Sequence, residues 1–416
     1  MKTLKVEDII EAKKRIEGVV TKTPLEYSKR LSEKYNARIY LKREDLQPVR
    51  SYKIRGAYNF LSLLNKEDYK YGVVCASAGN HAQGVAYGCR LLKIKGVIFM
   101  PETTPKQKIK RVINFGGKWI TIKLVGASFD ESSIAALKYC KKKNSIFVHP
   151  FDDYKTMAGQ GTIGIEILED IPRQDLDFVI IPIGGGGVSS GVGTYIRAKN
   201  TNTKIFGVEP SGAASMSAAI DKGRVVELKT IDSFVDGTAV KKVGLKTFKI
   251  ARKVLDDVTV VPEGKVCVTM IELYQNEGIV VEPAGALSIA ALDNYKDVIK
   301  NKTVVCILSG GNNDLSRYPE IIEKSLVYQG LRHYFIVEFF QKPGELKTFV
   351  NDILGANDDI TWFEYIKKTN KEKGPALIGI ELSHKKDLTP LLKRMTQHNI
   401  NYQYLSSEDP LLNILL

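Results

Sequence analysis

The sequence predicts a parallel α/β protein with a smaller βαββαβ module towards its C-terminal end. Three observations carry this. From about residue 38 to 310, short apolar runs alternate with helix-period stretches, the pattern of strands joined by right-handed crossovers. Several runs carry β-branched residues on both faces, as strands covered on both sides do. After about residue 330 the order becomes strand, helix, strand, strand, helix, strand, a ferredoxin-like unit.

In chain order, the strand candidates are Arg38–Lys42, Gly72–Ala76, Gly96–Met100, Trp119–Leu124, Phe178–Ile183, Lys204–Glu209 and Thr303–Leu308. Lys141-Lys142-Lys143 is expected to end a helix, where cations suit the dipole. Gly310 to Asn313 read as a turn, and Tyr318 to Tyr328 as a helix. His333–Phe340 opens the last module as a strand. Pro343 is expected early in a helix whose face is Leu346, Phe349, Val350 and Ile353. Ile360–Lys367 and Ala376–Ser383 read as strands, the second alternating at Ala376, Ile378, Ile380 and Leu382. Leu388, Leu391, Leu392 and Met395 mark a second amphipathic helix, and Asn401–Leu405 the last strand. The expected division is 1–325 for the larger region, with a small subdomain at roughly 45–150, and 326–416 for the module.

The 416 residues are 44% hydrophobic and 26% charged, which excludes fibrous, disordered and disulfide-scaffold classes. Formal net charge is 61 − 47 = +14, but the cations are scattered, so no nucleic-acid partner is expected. The five cysteines, Cys75, Cys89, Cys140, Cys267 and Cys306, include no Cys-x-x-Cys and are read as reduced core thiols of a cytoplasmic protein. The N-terminus lacks the apolar core of a signal peptide, and no run approaches the ~20 apolar residues of a membrane span.

Four stretches carry chemistry. In Ser51-Tyr52-Lys53-Ile54-Arg55-Gly56-Ala57, Ser51 is the expected N-cap and Lys53 lies in the first helical turn. The positive end of the helix dipole would favour a neutral, nucleophilic amine there. Ser77-Ala78-Gly79-Asn80-His81 follows a strand and opens a helix, presenting N–H groups and donors suited to a carboxylate. Gly184-Gly185-Gly186-Gly187-Val188 lies between a strand and a helix, where bare backbone can wrap a phosphate. It is neither a Gly-x-Gly-x-x-Gly fingerprint, since position 189 is Ser189, nor a P-loop. Ser309-Gly310-Gly311-Asn312 sits at a strand's carboxyl end, where open α/β sheets bind ligands.

Together, and in this order, these motifs resemble the β-family (fold type II) pyridoxal-phosphate enzymes. The wording Lys42-Arg43-Glu44-Asp45-Leu46-Gln47-Pro48-Val49 and Glu282-Pro283-Ala284-Gly285-Ala286 is similar to the biosynthetic threonine dehydratases. The resemblance implies a catalytic region of two parallel-sheet α/β subdomains. Lys53 would hold pyridoxal 5'-phosphate covalently and move the α-proton. Tyr52 would pack on the cofactor, Asn80 would bond its 3'-oxygen, Gly184, Gly185, Gly186, Gly187 and Val188 would cradle its phosphate, and Ser309 would face its ring nitrogen. Ser77, Ala78, Gly79, Asn80 and His81 would hold the substrate carboxylate. The related serine racemases have a Ser base where this chain has Ala78, so dehydration with little racemisation is expected. Relatives bind a cation near the segment matching Glu209 to Ser215. Glu209 and Ala213 are the candidate ligands, but Ser215 replaces an Asp, so a monovalent ion or none is expected.

The C-terminal module resembles a single ACT-like regulatory domain through Gln341 to Leu346, Asn357 to Thr361, Phe363 to Tyr365 and Gly374 to Leu377. The implied activity is deamination of L-threonine to 2-oxobutanoate, with L-serine to pyruvate as a side activity. The implied effector is isoleucine, and the implied assembly a homotetramer. The alternatives weighed are a catabolic serine/threonine dehydratase, a serine racemase, another β-family enzyme, a nicotinamide-dependent oxidoreductase and a non-catalytic amino-acid sensor. The C-terminal module opposes the first, Ala78 the second, the threonine-dehydratase-like wording the third, the failed fingerprint the fourth and Lys53 the fifth.

Overall fold

The computed structural model describes residues 3–172, 175–365, 367, 371–406, 409 and 411. Two compact units are present: Met1–Glu263 with Leu273–Asn313, and Gly264–Glu272 with Asp314–Leu416.

The first unit holds β1 (Leu25–Tyr27), β2 (Arg38–Arg43), β3 (Val73–Ala76), β4 (Gly96–Met100), β5 (Ile120–Leu124), β6 (Ile146–Phe147), β7 (Phe178–Pro182), β8 (Lys204–Pro210), β9 (Asp257–Val261) and β10 (Thr303–Leu308). They form a six-stranded sheet, β1-β2-β10-β7-β8-β9, and a four-stranded sheet, β5-β4-β3-β6. The smaller sheet is parallel throughout. The larger is parallel except that β1 runs antiparallel to β2, so it is mixed. Every residue of β3, β7 and β10 is buried, which is why these strands read as unbroken apolar runs.

Differences from the expected strands fall at sheet edges and strand ends. Trp119 belongs to a short 3₁₀ turn, and Ile183 lies beyond β7. β1, β6 and β9 were not expected. β1 and β6 are too short to show a period, and β9 is an edge strand with a half-buried middle. The lysine run does end a helix, Phe129–Lys143, whose N-cap Ser128 accepts from Glu131 N. All five cysteines are free, but Cys140 is only half-buried, so it is not a core thiol. Its helix packs on β3 and β4 with only Ser132 and Ala136 buried, and its thiol donates to Ser145 O at 2.7 Å.

The second unit holds β11 (Arg332–Phe340), β12 (Asp359–Tyr365), β13 (Lys373–Glu381) and β14 (Asn401–Leu405). The antiparallel order β12-β13-β11-β14 is the ferredoxin-like arrangement. Ala376, Ile378, Ile380 and Leu382 are buried with Phe335, Val337 and Phe339, and Leu391 and Met395 of the helix Leu388–Gln397 cover them. The first helix differs from expectation. It starts at Glu345, because Gly344 at φ +98° sets the cap and leaves Pro343 outside. It continues as a five-residue π turn, Phe349–Ile353. That wider turn buries Phe349 and Ile353 while Leu346 and Val350 are each 44% exposed, so the expected four-residue face is split. Residue 366 of the predicted Ile360–Lys367 strand lies outside the described residues. Among the described residues no helix is long and apolar enough to cross a membrane.

Candidate active site

A cavity of about 260 Å³ opens in the first unit. The segments after β3, β4, β7 and β10 line it, so it lies at the carboxyl ends of the parallel strands of both sheets, where such strands bind ligands.

Lys53 is in its wall. The helix Lys53–Ser62 begins on Lys53 itself, with Tyr52 in the cap position and no side-chain cap bond. Ser51 is therefore not the N-cap. A bridge to Gly310 and the Tyr52 N to Ser309 O bond, 3.1 Å, tie residues 51–52 to the segment after β10 and delay the helix start by one residue. Lys53 Nζ donates to Pro150 O at 3.3 Å and stands 5.3 Å from the Tyr52 ring centre. Burial lowers its amine to about 8, with the Glu282 charge working against the shift. The cause is thus desolvation, where the sequence pointed to the helix dipole.

Gly79 caps the helix Asn80–Leu92, and Ser77, Ala78, Gly79, Asn80 and His81 all line the cavity. Asn80 Nδ2 donates to Glu282 Oε1 at 2.6 Å, and its Oδ1 accepts from Asn312 Nδ2 at 2.7 Å. Its amide orientation is therefore set from two sides. His81 Nε2 is 2.9 Å from Val148 O, and a carbonyl only accepts, so Nε2 carries the proton. Burial, reinforced by the Lys53 charge, lowers His81 to about 3. The His81 ring is therefore neutral.

Of the tetraglycine loop, Gly185 reaches the cavity wall. A Cβ at Gly185 would lie 2.3 Å from the Phe151 ring, and Gly186 has φ +88°. Gly187 is already the first residue of the following helix, Gly187–Lys199, which includes Val188. Thr247 Oγ1 donates to Gly185 O at 2.7 Å, while Asp152 Oδ1 accepts from Lys246 N and Thr247 N at 2.8 and 3.0 Å. The bare backbone at Gly185 thus makes room for Phe151, a reason the sequence did not reveal.

Tyr52, Gly184, Gly186, Gly187, Val188 and Ser309 are not part of the cavity wall. Ser309 is buried behind it, donating to Ala284 O at 3.2 Å. Glu209 lies on β8, away from the wall, and its two oxygens accept from Met216 N and Ser217 N at 2.7 and 2.8 Å. Ala213 lies in a 3₁₀ turn before those residues. Among the described residues no group of three or more His, Cys, Asp or Glu could hold a metal ion.

Glu282, Asn312, Lys108 and Asp236 are among the wall residues that carry no prediction. Glu282 and Asn312 stand in motifs whose wording was recognisable without a role attached. Burial, then the Asp236 charge, raises the Glu282 carboxyl to about 7. Lys108 Nζ pairs with Asp236 at 2.5 Å.

These residues fit an aldehyde cofactor bearing a phosphate. The wall offers a buried amine of lowered basicity, suited to a Schiff base. A helix start with free N–H groups stands at Gly187, suited to a phosphate. Two wall side chains, His81 Nδ1 and Gln83 Oε1, are buried without partners.

The pyridoxal-phosphate dependent enzyme family matches residues 16–310, and the C-terminal regulatory domain of threonine dehydratase matches residues 323–415. The biosynthetic L-threonine dehydratase IlvA of Halalkalibacterium halodurans is 52% identical over 416 residues, covering 100% of both chains. That of Bacillus subtilis is 52% identical over 413 residues, 99% of this chain and 98% of the relative. Among solved structures, the processed threonine deaminase isoform 2 of Solanum lycopersicum has TM-score 0.72 at 38% identity, covering 78% of this chain and 96% of that one. Maize serine racemase has TM-score 0.72 at 31% identity, covering 79% and 99%.

Proposed function

Because this chain belongs to the pyridoxal-phosphate dependent enzymes and, among them, to the biosynthetic L-threonine dehydratases, we propose that it converts L-threonine to 2-oxobutanoate and ammonia. Water leaves the β-carbon, and hydrolysis returns it as the ketone oxygen while ammonia departs. The observation that carries the reading is the buried Lys53 amine, held at about 8 beside the Ser77–His81 helix start in one cavity.

Pyridoxal phosphate, when bound, supplies the electron sink that lets an amino acid's Cα give up a proton. Lys53 would anchor it through Nζ and move the substrate's Cα proton; burial lowers that amine to about 8, which enlarges its neutral, proton-accepting fraction near neutral pH. Asn80, oriented by Glu282 and Asn312, would bond the 3'-oxygen. The N–H groups at the start of the Gly187 helix would hold the phosphate. Ser309 would face the ring nitrogen, and Tyr52 would pack near the ring. Residues 77–81 hold the substrate carboxylate through helix-start N–H groups. Ala78 has no proton to exchange on the opposite face, which favours elimination over racemisation. L-Serine lacks only a methyl, worth about 1–3 kcal/mol in an apolar pocket, so pyruvate formation is the side activity.

The finer parts of the reading are isoleucine as inhibitor at the C-terminal unit, a homotetramer, a cytoplasmic location, and a division into residues 1–325 for catalysis and 326–416 for regulation. The test is 2-oxo-acid release from L-threonine by the cofactor-loaded protein and by Lys53→Ala. Release by the first that falls to background in the second is expected. Equal release from both would overturn the role of Lys53.

A further inference from the structure

Behind the Lys53 helix lies a fully buried charge lattice that the cavity does not touch. Arg55 and Lys42 have no exposure, and the side chains of Glu44 and Glu166 are 0% and 6% exposed. Arg55 meets both carboxylates as a fork. Nε and Nη2 donate to Glu44 at 2.8 and 2.7 Å, and Nη1 and Nη2 donate to Glu166 at 2.7 and 2.9 Å. The second Nη1 hydrogen goes to Thr162 Oγ1 at 3.0 Å. All five guanidinium N–H groups are thereby used. Lys42 Nζ completes the lattice, donating to Glu166 at 2.6 Å and Thr23 O at 2.6 Å. Thr23 Oγ1 and Gln47 Nε2 donate to Glu44 at 2.6 and 3.2 Å. Two cations and two anions balance.

Such a lattice is weak evidence for stability, because desolvating four charges offsets most of their attraction. Its place in the chain suggests another use. Residues two apart on a helix point about 200° apart. Arg55 therefore grips the back of the turn whose front presents Lys53. The grip reaches the 3₁₀ turn Glu44–Leu46 and the helix Tyr154–Asp170 at once, and Lys42 of β2 joins it through Glu166. The same helix turn is also pressed against its neighbour. A Cβ on Gly159 would lie 2.4 Å from Arg55 O, and one on Gly84 3.2 Å from the Lys53 carbonyl carbon.

We propose that Arg55, through its double fork to Glu44 and Glu166, is a positioning residue that sets where the Lys53 amine stands in the cavity. This rests on the reading of Lys53 as the cofactor's anchor. A Lys at position 55 keeps the charge but offers three donors without the planar fork, so it cannot hold both carboxylates in register.

The experiment compares full-length, pyridoxal-phosphate-loaded wild type and Arg55→Lys. It reads visible circular dichroism per bound cofactor, kcat and KM for L-threonine, and the melting temperature. The expected result is an altered visible dichroic band and a fall in kcat on the order of 10²-fold, with KM changed far less. A variant with the wild-type band and wild-type kcat overturns the proposal. So does one whose melting temperature falls while the band per cofactor is unchanged, since that is a purely structural role. If Arg55→Lys does not fold, Thr162→Val decides. It removes one of the five acceptors and leaves both ion pairs. A shifted band with a smaller loss of kcat supports the proposal, and an unchanged band and kcat overturn it. A wild type that binds cofactor with a visible band but makes no 2-oxobutanoate would sink the proposed reaction and leave the dichroism arm intact.

Discussion

Lys53 and Glu282 are an oppositely charged pair of residues whose ordinary ionisation is pulled together by burial, the amine down to about 8 and the carboxyl up to about 7. Glu282 has a thermodynamic consequence. A carboxyl whose folded pKa is raised binds its proton more tightly in the fold than in the unfolded chain. Its contribution to stability therefore falls as pH rises from about 4.5 to about 7. Glu282→Gln keeps an acceptor for Asn80 and removes the titration. The stability of the variant relative to wild type should rise by roughly 3 kcal/mol between pH 5 and 8. Denaturant midpoints across that range check this, and a constant difference would refute it. At this scale the meeting of Lys53, Asn80 and His81 in one cavity was legible, because each sits in a helix-start signature after a strand or turn. The Glu282–Asn80 pair was not, since 202 residues separate its members.

Helices here are positioned by small residues as much as by apolar faces. The period of the Lys53 helix predicts one face of Ile54, Ala57, Tyr58 and Leu61; Tyr58 is only half-buried, while Arg55, Gly56 and Asn59 are buried. The element is covered on nearly all sides, so its amphipathic reading described only one contact. Gly159 tests the crossing with the helix Tyr154–Asp170. Alanine at a helical glycine gains about 1 kcal/mol in propensity. Against that, its Cβ would stand 2.4 Å from Arg55 O and 2.6 Å from Gly56 Cα, both backbone that cannot turn aside. Overpacking costs about 1–3 kcal/mol or more. Gly159→Ala should therefore be less stable by about 1–2 kcal/mol and lose activity through displacement of Lys53. A stability equal to or above wild type, read from melting curves, would show that the crossing has slack.

The whole molecule pairs a catalytic unit built of two sheets with a second, ferredoxin-like unit that matches a regulatory domain. A ligand that binds only the folded protein stabilises it by about 2.7 kcal/mol at a hundredfold excess over its Kd. On the proposed reading, isoleucine raises the melting temperature of the full chain and lowers its velocity at subsaturating L-threonine. Where isoleucine acts by weakening L-threonine binding, linkage requires L-threonine to weaken isoleucine binding by the same factor. Thermal shift and initial-rate titrations with isoleucine, with L-threonine varied, check both. A melting temperature flat across the titration would remove isoleucine as the effector and leave the catalytic reading standing.

The sequence by itself determined the fold class, most strands, the order of the C-terminal module and the segments that meet at the cavity. These rest on local signals: β-branched runs, helical periods, and glycine and asparagine turns at strand ends. Tertiary structure alone decided the edge strands, the antiparallel β1 and the split face of the Glu345 helix. It also decided the close approach of the Phe151 ring to Gly185 and the burial that lowers the Lys53 amine. The physical reason is common to all of these. Desolvation, close packing and buried ion pairs depend on which distant residues come together, as Arg55 does with Glu166 across 111 positions. Hydrophobic period and turn chemistry are written within a few residues of one another.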